Sequence, residues 1–284
     1  MRRPLPLLAA LVSALLGVAL VAPSAAAKPD PRAVERAMGY YLALGDSLAT
    51  GYQPTTGNDL DGGYVGDVYE AAAQRAKMRL ANIACAGETS QTFVDGGRCD
   101  YVKGSQLEQA EHFLRAHGQF TRLITIDIGA NDVQRCVGGT GTIDFGCIAE
   151  GMQAVATNLP LILETLRAGA PNAQIVVLDY YNPFLAAYLA GEAGKALATQ
   201  STYLQIQLNE IIAKAAADVG ADLAEVSLAF ESFTTTPTLL PGVGTVPRNV
   251  ARICTWTWMC VRSDIHANDA WYAVMAQTVI AELR

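Results

Sequence analysis

The chain has 284 residues, 51% of them hydrophobic and 17% charged, with 25 glycines, 12 prolines and six cysteines. That composition excludes a disordered or fibrous protein and leaves room for a sizeable core. The 27 acidic residues outnumber the 20 basic ones, and a net charge of -7 argues against binding to phosphate backbones, so no nucleic-acid partner is expected.

At the start, Met1-Arg2-Arg3 precedes an apolar stretch from Leu5 to Ala22 and then Ser24-Ala25-Ala26-Ala27. Charged, apolar and small-residue regions in that order predict a signal peptide over residues 1–27, cleaved after Ala27, and hence a secreted, extracellular protein. Pro6, Ser13 and Pro23 interrupt the run, which suits a peptidase better than a membrane anchor. Cleavage removes two arginines and no acid, leaving a mature chain of 257 residues with net charge -9. Residues 28–39 form a mature N-terminal segment, and residues 40–284 one domain.

Apolar runs bounded by turn residues predict five strands: Tyr40 to Leu44, Arg79 to Ala84, Leu123 to Ile128, Ile175 to Leu178 and Leu223 to Leu228. Helical patterns fall between and after them, at Val65 to Met78, Gln106 to Ala116, Ile148 to Ala168 with a kink at Pro160, Ser201 to Val219 and Asn268 to Leu283. In the last helix Trp271, Val274, Met275 and Val279 make a stripe that should dock on the sheet. Strand and helix alternate, so the expected fold is α/β: a three-layer α/β/α arrangement around a central, mainly parallel five-stranded sheet.

Cys85, Cys99, Cys136, Cys147, Cys254 and Cys260 all follow the signal, where an oxidising compartment can pair them. Fifteen pairings exist, and the spacing favours the sequential one, 85 with 99, 136 with 147 and 254 with 260. No C-x-x-C is present and no His stands beside a Cys pair, so no metal site is expected. Dinucleotide and P-loop patterns fail as well, because Gly139-Thr140-Gly141 and Gly242-Val243-Gly244 lack the third glycine and the strand-to-helix setting. Asp59 and Asp61 read as a polar turn, and His112 and His117 as solvated surface residues.

Gly45-Asp46-Ser47-Leu48 follows the first strand, Cys85-Ala86-Gly87-Glu88 the second and Gly129-Ala130-Asn131-Asp132 the third, while Ser263-Asp264-Ile265-His266 precedes the last helix. Carboxyl ends of parallel strands are where ligands collect. In order and placement these blocks, spanning about residues 40 to 284, resemble the SGNH, or GDSL, family of serine esterases and lipases. The resemblance implies the SGNH hydrolase fold, with Ser47 as nucleophile, His266 as base, and the amides of Ser47 and Gly87 with the side chain of Asn131 as oxyanion hole. The chemistry requires these types: a serine hydroxyl needs a base, glycine lets backbone approach the ester, and an Asn amide donates without adding charge.

The acid departs from the family pattern. Its usual place, three residues before the histidine, holds Ser263, and Asp264 stands only two before. Either Asp264 reaches the imidazole, or a backbone carbonyl near Ser263 orients it in a Ser-His dyad. Trp256 and Trp258 read equally as a pocket wall or lipid contact and as packing against a disulfide, and Phe184, Leu185 and Tyr188 as another pocket wall.

The resemblance implies a secreted carboxylic ester hydrolase, preferably a lipase or acyl esterase, working through an acyl-enzyme without metal or organic cofactor. Its partners would be small-molecule or lipid esters, with transient contact to lipid interfaces, and the chain a monomer. The alternatives are a carbohydrate acetyl esterase and an inactive lipid- or glycan-binding module.

Overall fold

The computed structural model describes residues 38–138 and 142–284. The predicted signal peptide, the N-terminal segment up to residue 37 and Gly139-Thr140-Gly141 lie outside the described residues.

Five parallel strands form the centre: β1 (Gly39–Gly45), β2 (Met78–Asn82), β3 (Thr121–Asp127), β4 (Gln174–Leu178) and β5 (Asp222–Ala224), in the order β2-β1-β3-β4-β5. Every residue of β1 is buried, as a strand covered on both faces requires, and that is why Tyr40 to Leu44 reads as a continuous apolar run. Registers such as Leu42 with Ala81 on one side and Ile124 on the other keep the carboxyl ends of β2, β1 and β3 level. The three motif blocks therefore emerge side by side.

Helices α1 (Gly63–Arg75) and α10 (Asp269–Glu282) pack together on one face. On the other face lie α3 (Gln106–His117), α5 (Phe145–Gly169) and α6 (Gly191–Asp218). Between β2 and α3 runs the short α2 (Ser90–Asp95), and α4 (Ala130–Gln134) follows β3. Side-chain caps start several of them: Ser105 accepts from Glu108 N, Asp144 from Gly146 N and Cys147 N, and Asn268 from Trp271 N. Three layers and five strands are thus as expected from the alternation.

Trp271, Met275 and Val279 of the α10 stripe are fully buried. Trp271 meets Phe230 edge-on at 4.6 Å and stacks on Trp256 at 5.0 Å, so Trp256 is a packing residue behind the Cys254–Cys260 bond.

The structure corrects two boundaries and adds elements that the sequence pattern does not show. The strand predicted over Leu223 to Leu228 stops at Ala224, and Val226–Ala229 turns into a short helix, α7. Asp179 at the end of β4 draws the chain off the sheet there, accepting from Ser227 N at 2.8 Å and Ser227 Oγ at 2.6 Å. Helix α6 begins at Gly191, ten residues before its apolar period becomes visible, through good helix formers such as Glu192, Ala193 and Lys195. Helix α5 contains Pro160 within its span, as the predicted helix does. Residues 237–262 hold elements without a periodic signal: a hairpin of β6 (Pro237–Leu240) and β7 (Gly244–Pro247), then α8 (Arg248–Trp256) and α9 (Met259–Arg262).

Of the two other histidines, His112 is exposed, but His117 is half-buried with its ring 4.5 Å from that of Tyr40. Asp59 and Asp61 form the expected turn, Asp61 N donating to Asp59 Oδ1 at 3.3 Å. The bonded cysteine pairs are 85 with 99, 136 with 147 and 254 with 260.

Candidate active site

Ser47 sits on the turn that leaves β1, where Gly45 takes φ +133°. A Cβ on Gly45 would collide with Asp127 O and lie 2.8 Å from Asp127 Oδ2, so only glycine lets β1 and β3 approach this closely. Gln106 of α3 clamps the same residue, accepting from Gly45 N at 2.7 Å and donating to Gly45 O at 3.0 Å. Asp46 Oδ1 then accepts from Leu48 N at 3.0 Å. The serine is held by backbone, not by its own side chain.

His266 arrives from the opposite end of the sequence on a segment fixed at several points. Thr257 and Ala267 form a β-bridge, Trp258 N donates to His266 O at 3.0 Å, and Tyr181 OH donates to Ile265 O at 2.6 Å. The Tyr52 ring lies 4.4 Å from the imidazole. His266 Nε2 is 2.8 Å from Ser47 Oγ, and Nδ1 is 2.7 Å from Asp264 Oδ1. That same Oδ1 accepts from His266 N at 2.9 Å, an Asx-turn that spans two residues. Ser263 enters it in the left-handed region, φ +52°. The two-residue spacing therefore brings serine, histidine and aspartate into one hydrogen-bonded chain.

Asn131 lies in the first turn of α4 but does not cap it. Its Nδ2 donates to Glu88 O at 2.9 Å and reaches Asp46 Oδ2 at 3.5 Å. Gly87, at φ +81°, precedes Glu88 in the β2–α2 loop. The loop is fastened by the Cys85–Cys99 bond, by Ser90, whose N and Oγ donate to Asp132 at 2.8 and 2.7 Å, and by the α2 capping box of Thr89 and Thr92. Asn131 thus lines one pocket with Ser47 and is bonded to the residue after Gly87.

Below the serine lies a buried polar layer that sequence reading missed. Tyr64 OH donates to Asp127 Oδ1 at 2.5 Å, Asp46 N to Asp127 Oδ2 at 3.2 Å, and Tyr180 OH to Asp46 Oδ2 at 2.8 Å. Burial pushes both carboxyl groups above the ordinary range, Asp127 furthest because the Asp46 charge adds to it. Two adjoining buried carboxyls each disfavour the other's ionisation. Glu88, also buried, is raised by burial and partly offset by its hydrogen bonds. The missed signal was positional: Asp127 is the last residue of β3, and Tyr180 follows β4.

The pocket over Ser47 and His266 is bordered by Asn131, Gln134, Tyr180 and Tyr181. A second, mainly apolar pocket shares Ala130, Gln134, Tyr180 and Tyr181 with it and continues along Val133, Ile148, Phe184, Leu204 and Leu208. Phe184 is a pocket wall as expected, whereas Leu185 and Tyr188 line a separate cleft with Phe233. Trp258 lines neither active-site pocket, its Nε1 donating to Gln53 Oε1 at 2.5 Å.

A three-layer sheet presenting Ser, His and Asp in a hydrogen-bonded row at its carboxyl edge is the architecture of a hydrolase. The model of the GDSL-like lipase/acylhydrolase family matches residues 43–274. The chain belongs to that family and is a carboxylic ester hydrolase. It has no match among the curated proteins. Among solved structures it is similar to a phospholipase A1 from Streptomyces albidoflavus, at 20% identity and TM-score 0.52 over 86% of this chain and 99% of that one. An extracellular lipase from Streptomyces rimosus matches at 21% identity and TM-score 0.51 over 84% and 99%. A mutant acetyl-xylooligosaccharide esterase from Geobacillus matches at 14% identity and TM-score 0.51 over 86% and 93%. At these identities the likeness is one of fold.

Proposed function

We propose that the chain hydrolyses acyl esters through a covalent acyl-enzyme on Ser47. The observation that carries this reading is the row Ser47 Oγ, His266 Nε2, His266 Nδ1 and Asp264 Oδ1, with links of 2.8 and 2.7 Å. With Nδ1–H donated to the carboxylate, Nε2 is left to accept the serine proton. Ser47 Oγ attacks the acyl carbonyl as Nε2 takes that proton, and Asp264 stabilises the imidazolium. The carbonyl oxygen gains charge facing the amides of Ser47 and Gly87 and the Asn131 amide, whose second N–H exchanges its long 3.5 Å bond to Asp46 Oδ2 for the oxyanion while the first stays on Glu88 O. Nε2 then protonates the departing alcohol, and water, activated by the same imidazole, releases the acid.

The acyl chain enters the apolar pocket along Tyr180, Tyr181 and Phe184. This favours acyl groups longer than acetyl, and a carbohydrate acetyl esterase becomes the second reading, supported by the fold shared with the xylooligosaccharide enzyme. Secretion after cleavage at Ala27 completes the proposal, supported by the Arg2-Arg3 start, the three disulfides and the fold shared with an extracellular lipase.

Fluorophosphonate labelling tests the chemistry: the folded protein should take one adduct on Ser47 and lose it in Ser47→Ala, whereas an unlabelled wild type means a binding module. A p-nitrophenyl ester series tests the pocket. Each buried methylene is worth about 0.8 kcal/mol, so kcat/KM should rise about fourfold per carbon until the pocket is full. A maximum at acetate, with turnover of acetylated glycan, selects the second reading.

A further inference from the structure

The apolar pocket that takes the acyl chain has a wall more polar than an alkyl chain requires. Most of its polar side chains are already engaged. Tyr180 OH donates to Asp46 Oδ2 at 2.8 Å and Tyr181 OH to Ile265 O at 2.6 Å. Asn182 Oδ1 accepts from Phe184 N at 2.9 Å and its Nδ2 donates to Ser201 Oγ at 2.9 Å, while Ser201 Oγ donates to Ala198 O at 3.0 Å. Two glutamines of the wall remain. Gln205 is buried, with Nε2 donating to Tyr180 O at 2.6 Å, but its Oε1 accepts from no group among the described residues. Gln134 is half-buried, and its side-chain amide has no hydrogen-bond partner among the described residues.

Gln134 stands where the reacting centre opens into the acyl pocket. It lines both the pocket over Ser47 and His266 and the apolar pocket beside it. Of the other residues common to the two, Ala130 has no polar side chain and both tyrosine hydroxyls are engaged. Gln134 follows Asn131 by three residues on α4, so the two amides share a face of that helix. Asn131 lines only the serine pocket, whereas Gln134 lines both. An acyl chain with its carbonyl at Ser47 and its tail in the apolar pocket therefore passes Gln134 with the carbons next to the carbonyl.

A bare alkyl chain at that point strips water from the Gln134 amide and returns no hydrogen bond, which costs free energy. A hydroxyl removes the penalty, because it donates and accepts as the amide does. A charged substituent fits worse, since no charged side chain lines the apolar pocket to offset its desolvation. We infer that Gln134 is a specificity residue for the acyl half of the substrate, and that the preferred acyl group carries a hydroxyl close to the ester carbonyl, as in esters of 3-hydroxy acids. An apolar wall favours a methyl over a hydroxyl of the same size, and an unpaired amide reverses that order. The inference rests on the acyl-enzyme reading above and narrows its substrate class.

The test compares wild type, Gln134→Leu and Gln134→Met on two esters. One is ethyl 3-hydroxybutyrate, taken as its faster enantiomer, and the other is ethyl 3-methylbutyrate, which has a methyl in place of the hydroxyl. Both replacements favour helix and are close to glutamine in size. Intrinsic reactivity of the two esters cancels when their kcat/KM ratio is compared between proteins. In both variants the ratio of hydroxy over methyl ester should fall about tenfold, the scale of one hydrogen bond to a substrate hydroxyl, with turnover of the methyl ester held or raised. An unchanged ratio, whether activity holds or falls equally on both esters, overturns the inference. So does a wild type that hydrolyses p-nitrophenyl butyrate and neither 3-substituted ester. Serine dependence is read separately: if Ser47→Ala still turns over ethyl 3-methylbutyrate, the acyl-enzyme reading fails, while the ratio still decides the role of Gln134.

Discussion

A single oxygen of Asp264 serves His266 twice, accepting from the backbone N at 2.9 Å and from ring Nδ1 at 2.7 Å. The first bond is local and fixes the carboxylate, and the second uses the fixed carboxylate to aim the ring. If Asp264 is the acid of a triad, Asp264→Ala should lower kcat by about 10²- to 10⁴-fold, with Asp264→Asn comparably impaired because the amide favours the wrong tautomer. Steady-state kinetics check this. A near-normal kcat in Asp264→Ala leaves a Ser-His dyad in its place.

Asn131 anchors one N–H on Glu88 O at 2.9 Å and holds Asp46 Oδ2 only at 3.5 Å with the other, which the proposed mechanism turns to the substrate carbonyl. Asn131→Ala should therefore cost about 3 kcal/mol of transition-state stabilisation, roughly 100-fold in kcat, with KM little moved. A rise confined to KM would show that Asn131 binds the ground state instead.

Burial raises Asp179 to about 6, against the hydrogen bonds from Ser227 that lower it. A carboxyl raised in the folded state gives stability that is complete below its unfolded pKa, near 4, and is lost as pH rises through the folded value. Between pH 4 and pH 7 this one group should cost the native state about 3 kcal/mol relative to its acid-side plateau. Urea midpoints for wild type should fall progressively below those of Asp179→Asn across that range as pH rises, because the neutral amide does not titrate. A constant gap between the two curves would contradict the assignment.

The Cys254–Cys260 bond closes a six-residue separation beside the segment that carries His266. Replacing both cysteines by serine should lower stability by about 2 kcal/mol in the chain-entropy model. Because the histidine segment is held from outside by bonds such as Trp258 Nε1 to Gln53 and Tyr181 OH to Ile265 O, ester turnover should fail at a lower temperature than the far-ultraviolet signal. Coincident transitions by both probes would show that the segment melts only with the whole fold.

Buried strands and amphipathic helices write themselves into sequence because each residue's environment repeats along the chain, and so β1 to β4 and α10 stood out. Helix α6 starts early because its first turns carry propensity without an apolar period, and residues 237–262 fold against partners distant in sequence, with no period to read. The strand predicted through Leu228 failed for a similar reason: a carboxylate 48 positions away captures Ser227.

The sequence by itself determined the alternating α/β order, the four blocks that end at one sheet edge, and the candidate residues Ser47, Gly87, Asn131 and His266, since these depend on local patterns and on residue chemistry. Only the tertiary structure decided the partnerships. It brought Asp264 to the imidazole through a two-residue Asx-turn, set Asp127, Tyr64 and Tyr180 beneath Asp46, and placed Gln134 on the border of two pockets. Hydrogen bonds between side chains reach only about 3 Å, and residues separated by tens to hundreds of positions meet at that distance only when the sheet has stacked their strand ends side by side.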